Sequence, residues 1–581
     1  MFVKRLRLRV LARNDGRRNF KLMVRRILKI FHKEFGALHE AAYLLAIFAL
    51  LSQVLGLVRD RLLAHSFGAS HLLDMYYAAF RIPDFLFVSI ASFASATAIV
   101  PFFIERAEKG HSEAKKFLND IFTLFFVAMA TASLVVFFLM PFLAPYVVPG
   151  FSGVDQNEVV FLARVLLLSP FLLGLSNLVG SITQSVNKFF VFALSPVLYN
   201  LGIIIGIIFL YPVFGLLGIV LGVVIGAFFH LIIQLPVILK EDFFPKFSAS
   251  VDWKSVRKVT LLSLPRTLAM SINNISVLIL ITFASLISVG SISIFQFSYN
   301  LQSVPLSIIG VSYSVAAFPT MARLFANGEK KKFAAQITNA AKHIIFWSLP
   351  VIFLFIVLRA QIVRVILGSG RFSWNDTRLT AAALALFTIS LVAQGLILLF
   401  TRGYYATGNT KKPLVMNFFC AVLIIVLAFF FIRIFAGQSD FRIFLESVLK
   451  IQGIEGAGVI ALPLAYSIGT ILNALMHWVA FEREFAKGMT KDISQAFWHS
   501  LTASFAMGFI AYEGLNIFAL VFDQNKFLGV FFQGFLAGIS GIAAGVIVLI
   551  LLKNPEFETV RAELHHKFWK AKPVSPGQEE I

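Results

Sequence analysis

Long apolar stretches alternate with short polar loops along almost the whole chain. A run of about 18 or more nearly uncharged residues can cross a bilayer as a helix. The pattern predicts about fourteen such helices. The predicted spans are 41–58, 75–104, 117–149, 158–184, 189–211, 214–239, 258–288, 291–324, 338–367, 379–403, 412–435, 457–481, 495–519 and 527–552. The predicted fold class is therefore an all-α polytopic membrane protein.

The polar loops differ in their basic content. Lys and Arg are frequent in 1–40, 105–116 and 240–258 but absent from 145–157 and 209–215. Loops rich in Lys and Arg remain on the cytoplasmic side of the membrane. We therefore predict that both termini are cytoplasmic and that the basic loops contact anionic membrane lipids.

Two segments outside the spans have amphipathic patterns. Residues 17–35 place five apolar side chains at helical spacing among cations. This pattern predicts an interfacial amphipathic helix within a basic N-terminal extension, and a disordered basic tail is the alternative. Residues 441–452 predict a second amphipathic helix on the outer surface.

The chain contains signs of an internal repeat. Asn187 and Asn409 are separated by the same number of positions as Pro83 and Pro305, which we predict to be helix bends used in gating. The equal separations indicate two related six-span halves that start on the same side, so the repeat is parallel, with a pseudo-twofold axis along the membrane normal. The predicted segments are an N-terminal extension at 1–40, an N-lobe at 41–240, a basic cytoplasmic linker at 241–257, a C-lobe at 258–483, two further helices at 495–552 and a cytoplasmic tail at 553–581.

Composition excludes an ordinary soluble protein. The 581 residues are 58% hydrophobic and 14% charged, with 65 Phe and a mean hydropathy of +0.84. Soluble domains are about one quarter charged. The formal charge of +21 is concentrated in the basic loops, so it indicates topology rather than nucleic-acid binding. The single Cys420 lies in an apolar run and excludes disulfides and a thiolate metal site.

A cluster of charges lies at the first two spans. Arg59 and Asp60 follow an apolar run, and Asp74 and Arg81 lie close behind. An ionisable group at membrane depth is costly unless it faces water or a partner. These residues predict a charged wall that attracts an anionic or pyrophosphate-bearing substrate, because the planar guanidinium binds phosphate oxygens in a bidentate manner. Snorkelling or structural ion pairs at the interface are the alternative, and they also apply to Arg266 in span seven.

Several ordered motifs resemble those of the bacterial lipid II flippases (MurJ, also called MviN). They are SQVLGLVRDRLLAHSFGASHLLDMYYAAFRIPDFL at 52–86, FPTMARLFANGE at 318–329, GSGRF at 368–372 and GYYATGNTKKP at 403–413. By position, Arg59, Asp60, Asp74, Arg81 and Pro83 match residues of the family pattern.

The resemblance implies a fold of the multidrug/oligosaccharidyl-lipid/polysaccharide exporter type. Two six-helix lobes would surround a cationic cavity, and helices thirteen and fourteen would line a groove for a polyprenyl tail. Such proteins move a polyprenyl-pyrophosphate-linked peptidoglycan precursor from the inner to the outer leaflet of the bacterial cytoplasmic membrane by alternating access. The expectation includes coupling to membrane potential or to an ion such as Na+ or H+, no cofactor and a monomeric state.

The chain also departs from the family pattern. Gln53, Phe87 and Asn300 occupy positions where the family commonly has arginine. Arg266 is a candidate replacement cation, with Asn273 nearby. Alternatives therefore include export of another polyprenyl-linked glycan or an amphiphile, and a non-transporting membrane scaffold. A membrane-embedded enzyme is disfavoured, because the spans contain no paired-carboxylate or metal motif.

Overall fold

The computed structural model describes residues 38–91, 96–186 and 188–569, and these residues form helices without any strand. The first series of helices is α1 (Leu38–Phe67), α2 (His71–Ala79), α3 (Arg81–Ala91), α4 (Ala96–Lys109), α5 (His111–Val147), α6 (Gly153–Leu166), α7 (Leu168–Ser185), α8 (Phe189–Ile205), α9 (Tyr211–Phe214), α10 (Leu216–Ile232) and α11 (Leu235–Lys240). The second series is α12 (Trp253–Ser285), α13 (Ser291–Leu306), α14 (Ser312–Ala326), α15 (Lys330–Val357), α16 (Arg359–Ile366), α17 (Trp374–Ile389), α18 (Leu391–Ala406), α19 (Lys411–Ala436), α20 (Asp440–Leu449), α21 (Ala461–Glu484), α22 (Met489–Ala519), α23 (Phe527–Leu551) and α24 (Pro555–Trp569).

The predicted all-α membrane fold class is confirmed. Among the described residues, 10 helical stretches are long and apolar enough to cross a membrane, or up to 11 with the bent pair α17–α18. The predicted spans 41–58, 75–104 and 258–288 are helical but are not among these. The count of fourteen therefore stays a prediction. The predicted amphipathic helix at 17–35 lies outside the described residues, whereas the one at 441–452 corresponds to α20.

Two element boundaries differ from the predicted ones. Helix α1 continues to Phe67, so Arg59 and Asp60 lie within a helix rather than at its end. The predicted single span 75–104 is divided, with a break at Phe80 between α2 and α3. Hydropathy alone does not separate these cases, because an arginine-containing turn and an apolar turn both continue a helix when the backbone hydrogen bonds are made.

The described chain divides into two compact units. The first contains the described residues up to Leu62 together with Met75–Asn274, and the second contains Leu63–Asp74 and the residues from Ile275 onward. The short segment Leu63–Asp74 thus packs with a part of the chain that is distant in sequence.

Close packing of glycines joins two helices of the first unit. A Cβ atom added to Gly202 would lie 2.3 Å from the Gly226 Cα, and one added to Gly206 would lie 2.6 Å from the Gly222 Cα. Helix α8 ends at this contact and continues as a π-helical turn, Gly206–Leu210. Small residues allow membrane helices to approach this closely, so the glycines fix the α8–α10 pair.

The linker after α11 is bound along one face of α5. Three linker amides donate to side chains of that helix. The contacts are Lys246 N to Asn119 Oδ1 at 2.8 Å, Ser248 N to Thr123 Oγ1 at 2.8 Å and Asp252 N to Asp120 Oδ2 at 3.1 Å. Because extended backbone amides need acceptors, these contacts specify the path of the linker within the first unit.

Aromatic and ionic contacts reinforce the linker. The ring of Phe243 stacks on His111 with centroids 4.5 Å apart. Lys115 Nζ lies 2.8 Å from Asp242 Oδ2. The hydrogen bond from Lys115 and its positive charge lower the pKa of the exposed Asp242 carboxyl below its ordinary value.

The second unit contains a bent helix pair and a second π-helical turn. Helices α17 and α18 are inclined by 43° across Ser390. Gln394 Nε2 donates to Ser390 Oγ at 3.0 Å and lies 3.1 Å from Gln302 Oε1 of α13. A Cβ on Gly310, in the π-helical turn Ser307–Val311, would lie 2.8 Å from the Gly395 Cα. Polar side chains and a close backbone approach therefore stabilise the bend.

Candidate functional site

An arginine and an aspartate in α1 form an ion pair at the level of its last three turns. The Arg59 Nε and Nη2 atoms lie 3.0 Å and 2.8 Å from the Asp60 Oδ1 atom. The Asp60 side chain is 5% exposed, whereas the Arg59 side chain is 23% exposed. The aspartate is thus covered by protein, and part of the guanidinium remains accessible.

A polar residue of α8 holds the same guanidinium. Arg59 Nη1 donates to Asn200 Oδ1 at 3.3 Å. The Asn200 Nδ2 atom donates in turn to the backbone oxygen of Ser52 at 3.3 Å and to its hydroxyl at 3.2 Å. The sequence predicts interhelical hydrogen bonding for an asparagine in this apolar span, and the structure contains it. Asn200 therefore joins α8 to α1 and orients Arg59.

The next helices bring a tyrosine and another arginine to this region. The Tyr77 hydroxyl interacts electrostatically with Arg59, Asp60 and Arg81. Arg81 Nε donates to the backbone oxygen of Tyr77 at 3.1 Å. Arg59, Asp60 and Arg81 thus surround one buried tyrosine, which the sequence reasoning did not single out. Its spacing of one helical turn before Arg81 is the signal that points to it.

The two predicted helix-bend prolines lie at irregular points of their helices. Pro83 lies in the first turn of α3, just after the break at Phe80, where its missing N–H leaves no intrahelical bond unmade. Pro305 lies at the end of α13 and is followed by the π-helical turn Ser307–Val311. Both positions are suited to bending, and their use in gating stays a prediction.

Asp74 lies in the second unit and caps a helix there. Its Oδ2 atom accepts the Gly290 N–H at 2.6 Å, and its Oδ1 atom accepts the backbone N–H and the hydroxyl of Ser293 at 2.8 Å and 2.6 Å. The side chain is buried, and these residues begin α13. A carboxylate satisfies the free amides at a helix N-terminus and interacts favourably with the helix dipole.

Two of the motifs identified in the sequence contact each other in the second unit. The Arg371 N–H donates to the His65 oxygen at 3.0 Å, which joins the segment HSFGA to GSGRF. A Cβ on Gly68, whose φ is 63°, would lie 2.6 Å from the Arg371 oxygen. A Cβ on Gly370, whose φ is 56°, would lie 2.3 Å from the His65 oxygen. Glycine is required at both positions by backbone conformation and by space.

The positions where the family pattern has arginine are filled in different ways. Phe87 packs against the apolar cluster of the first unit. Asn300 Oδ1 accepts a hydrogen bond from Gln296 Nε2 at 2.7 Å within α13. Gln53 lies within α1, half-buried. Arg266 belongs to α12, but its side chain lies outside the described residues.

The arrangement can bind an anion but offers no set of catalytic groups. The accessible part of Arg59 has donors in a planar fork, and its orientation is fixed by Asp60 and Asn200. In the described part of the chain, no group of three or more His, Cys, Asp or Glu side chains is placed to hold a metal ion. The geometry defines a binding site for a charged headgroup in a membrane protein.

Solved structures with this fold are transporters. A structure of "Lipid II flippase MurJ, inward closed conformation" matches 89% of this chain and 100% of its own length, with a TM-score of 0.68 and 24% identity. An inward-facing multidrug resistance transporter of the MATE family and MOP superfamily covers 76% of this chain and 96% of its own length, with a TM-score of 0.61 and 14% identity. The chain therefore has the fold of the MOP-superfamily transporters, the class to which the sequence resemblance assigned it.

Sequence comparison identifies the family. A family model described as lipid II flippase MurJ matches residues 63–532, well over half of the chain. A probable lipid II flippase MurJ of Rickettsia prowazekii (strain Madrid E) is 27% identical over 390 residues, which cover 66% of this chain and 76% of the relative. Another, of Buchnera aphidicola subsp. Schizaphis graminum (strain Sg), is 26% identical over 519 residues, which cover 87% and 94%. The chain belongs to the lipid II flippase MurJ family, whose members are transporters and not enzymes.

Proposed function

We propose that this chain moves lipid II, the polyprenyl-pyrophosphate-linked peptidoglycan precursor, from the inner to the outer leaflet of the bacterial cytoplasmic membrane by alternating access. The family match over residues 63–532 carries the proposal. In this proposal the two predicted lobes open alternately to each side, and helices α22 and α23 line the groove for the polyprenyl tail. Both termini lie in the cytoplasm, as the basic loops predict.

Arg59 is the residue that we assign to the substrate headgroup. Its guanidinium is oriented by Asp60 and Asn200 and retains an accessible part. A diphosphate has oxygens spaced for bidentate binding by arginine, and this binding is stronger than a point-charge contact because two parallel N–H···O bonds form. Arg81, which bonds to the Tyr77 backbone beside the same tyrosine, is the second cation of the site.

The test is transport of lipid II by the full chain in vesicles, together with growth of a host depleted of its own flippase. Arg59→Ala should lower transport by about tenfold or more, since a hydrogen bond to a charged group contributes about 1.5–3 kcal/mol. Arg59→Lys should restore part of it, because the charge remains while the planar fork is lost. The matched control is Arg433→Ala, because Arg433 stacks on the Phe429 ring in α19, 4.5 Å from its centroid, outside the site.

A second candidate substrate is another polyprenyl-linked glycan. Neutral Gln53, Phe87 and Asn300 at the arginine positions of the family pattern favour it. Vesicles loaded with lipid II or with a polyprenyl-diphosphate-linked glycan of different sugars distinguish the two. Transport of the second lipid alone, by protein that is shown to be folded, would contradict the lipid II assignment. Transport of neither lipid would leave the scaffold alternative and refute both proposals.

A further inference from the structure

A cavity lies between the ends of two helices of the second unit, away from Arg59. It has a volume of about 350 Å³ and is lined by Lys411, Lys412, Val415, Met416 and Ala480. The first four residues belong to the N-terminal turns of α19, and the fifth to the last turns of α21. The volume lies at the lower end of the range for ligand sites, so the cavity accommodates part of a lipid rather than a whole one.

The helices beside the cavity present apolar side chains outward. Val415 is 51% exposed, and Val479, next to Ala480, is 44% exposed. Phe418 and Phe419 in α19 are also exposed. Both helices are long and apolar enough to span a membrane, so these exposed side chains are those expected to contact acyl chains. An acyl chain can therefore extend from the bilayer into the cavity without crossing a polar surface.

The two lysines of the cavity are in different electrostatic situations. Lys412 forms an ion pair with Glu484, and its Nζ lies 6.0 Å from the centroid of the Tyr404 ring. Its charge is therefore largely compensated, and its stem is held as part of the wall. Lys411 is exposed and forms no ion pair with any described residue. One uncompensated cation thus stands at an apolar cavity.

The depth of the site matches a headgroup. Lys411 begins α19, so it lies where that helix enters the membrane, and the positive-inside pattern predicts this end to be cytoplasmic. The cytoplasmic leaflet carries anionic phospholipids, and basic pockets between helix ends on that side bind their headgroups. A soluble anion would have no use for the apolar wall of Val415, Met416 and Ala480.

We propose that this cavity binds an anionic phospholipid of the cytoplasmic leaflet, with Lys411 contacting the phosphate and an acyl chain lying against Val415, Met416 and Ala480. This lipid site is separate from the transport site at Arg59 and does not depend on the transported substrate. Its occupant is a membrane lipid that stays bound and is not carried across.

The test is native mass spectrometry of the purified full chain with added phosphatidylglycerol or phosphatidylcholine, without lipid II. The wild type should bind phosphatidylglycerol more tightly. Lys411→Gln should weaken phosphatidylglycerol binding about fivefold, since one basic residue near a membrane surface contributes about 1 kcal/mol. It should leave phosphatidylcholine binding nearly unchanged. The matched control is Lys331→Gln, an exposed lysine on the same predicted side and outside the cavity.

A second variant tests the apolar half of the site. Ala480→Phe fills the cavity while every charge is retained, so it should weaken the binding of both lipids. Glycerol phosphate at millimolar concentration should not displace phosphatidylglycerol, because it has no acyl chain. Equal binding by wild type and Lys411→Gln, or an equal loss in Lys331→Gln, would overturn the proposal. Displacement by glycerol phosphate would overturn the acyl-chain assignment. Because no transport is measured, none of these results bears on the flippase proposal.

Discussion

Asp74 provides a direct test of how the N-terminus of α13 is stabilised. Its two carboxylate oxygens accept the N–H groups of Gly290 and Ser293 and the Ser293 hydroxyl, all within 2.8 Å. The side chain is 1% exposed, so no water replaces a lost acceptor. Gly290, the residue before α13, has no side chain with which to cap the helix. The cap comes from a position 216 residues earlier in the chain.

The magnitude follows from Asp74→Asn, which keeps the shape of the side chain. Whichever way the amide is oriented, its NH₂ group faces either the Gly290 N–H or the Ser293 N–H, and two donors then oppose each other. One charge-assisted hydrogen bond is lost, and one buried N–H remains without an acceptor. Together with the lost charge at the helix N-terminus, we expect a destabilisation of about 2–4 kcal/mol. The lower limit corresponds to about a thirtyfold increase in local opening.

Amide hydrogen exchange of the detergent-purified full chain measures this effect. Peptides that contain Gly290 and Ser293 should exchange at least tenfold faster in Asp74→Asn, and the thermal unfolding midpoint should fall. Asp440→Asn is the control, because Asp440 is an exposed acid in the first turn of α20. Unchanged exchange at Gly290 and Ser293 in folded Asp74→Asn would refute the capping argument. An equal effect in the control would show that the amides respond to charge in general.

The remaining predictions concern packing within the first unit. Gly202→Leu places a side chain against the Gly226 backbone, 2.3 Å from its Cα, so we expect a loss of about 3 kcal/mol and a lower unfolding midpoint; Gly153→Leu, with open space around its Cα, is the control, and equal midpoints would contradict the packing argument. Asn119→Ala removes the acceptor of the Lys246 N–H, so exchange of that amide should accelerate about fivefold while the helical amides of α5 stay protected; no change would show that the linker is held by other contacts.

The sequence predicted the long helices well because hydropathy and length determine them. The predicted spans at 412–435 and 527–552 differ from α19 and α23 by one residue at most at either end. Asn200 was expected to form interhelical hydrogen bonds, because an amide in an apolar span has few other partners. In each case the physical cause is local to the helix, so the pattern along the chain contains it.

The sequence did not predict contacts that depend on the tertiary fold. Asp74 lies near Arg81 in the chain, and this proximity led to its assignment to the charged wall. In the structure its oxygens are occupied by donors of α13, and a role for Asp74 in substrate binding stays a prediction. The break at Phe80 and the fixed path of the linker escaped prediction for the same reason. Hydrogen bonds between distant segments, rather than local propensity, determine both features.

The ion pair of Arg59 and Asp60 is best explained by binding rather than by stability. Moving two charges out of water costs several kcal/mol per ion, and apolar residues of similar volume usually stabilise a protein as well or better. Here the aspartate is covered, whereas the arginine keeps 23% of its side chain exposed. A pair that served stability alone would compensate both charges equally. The unequal exposure leaves a cation with its orientation fixed by Asp60 and Asn200 and with donors available to an anion, which is the property that a headgroup site requires.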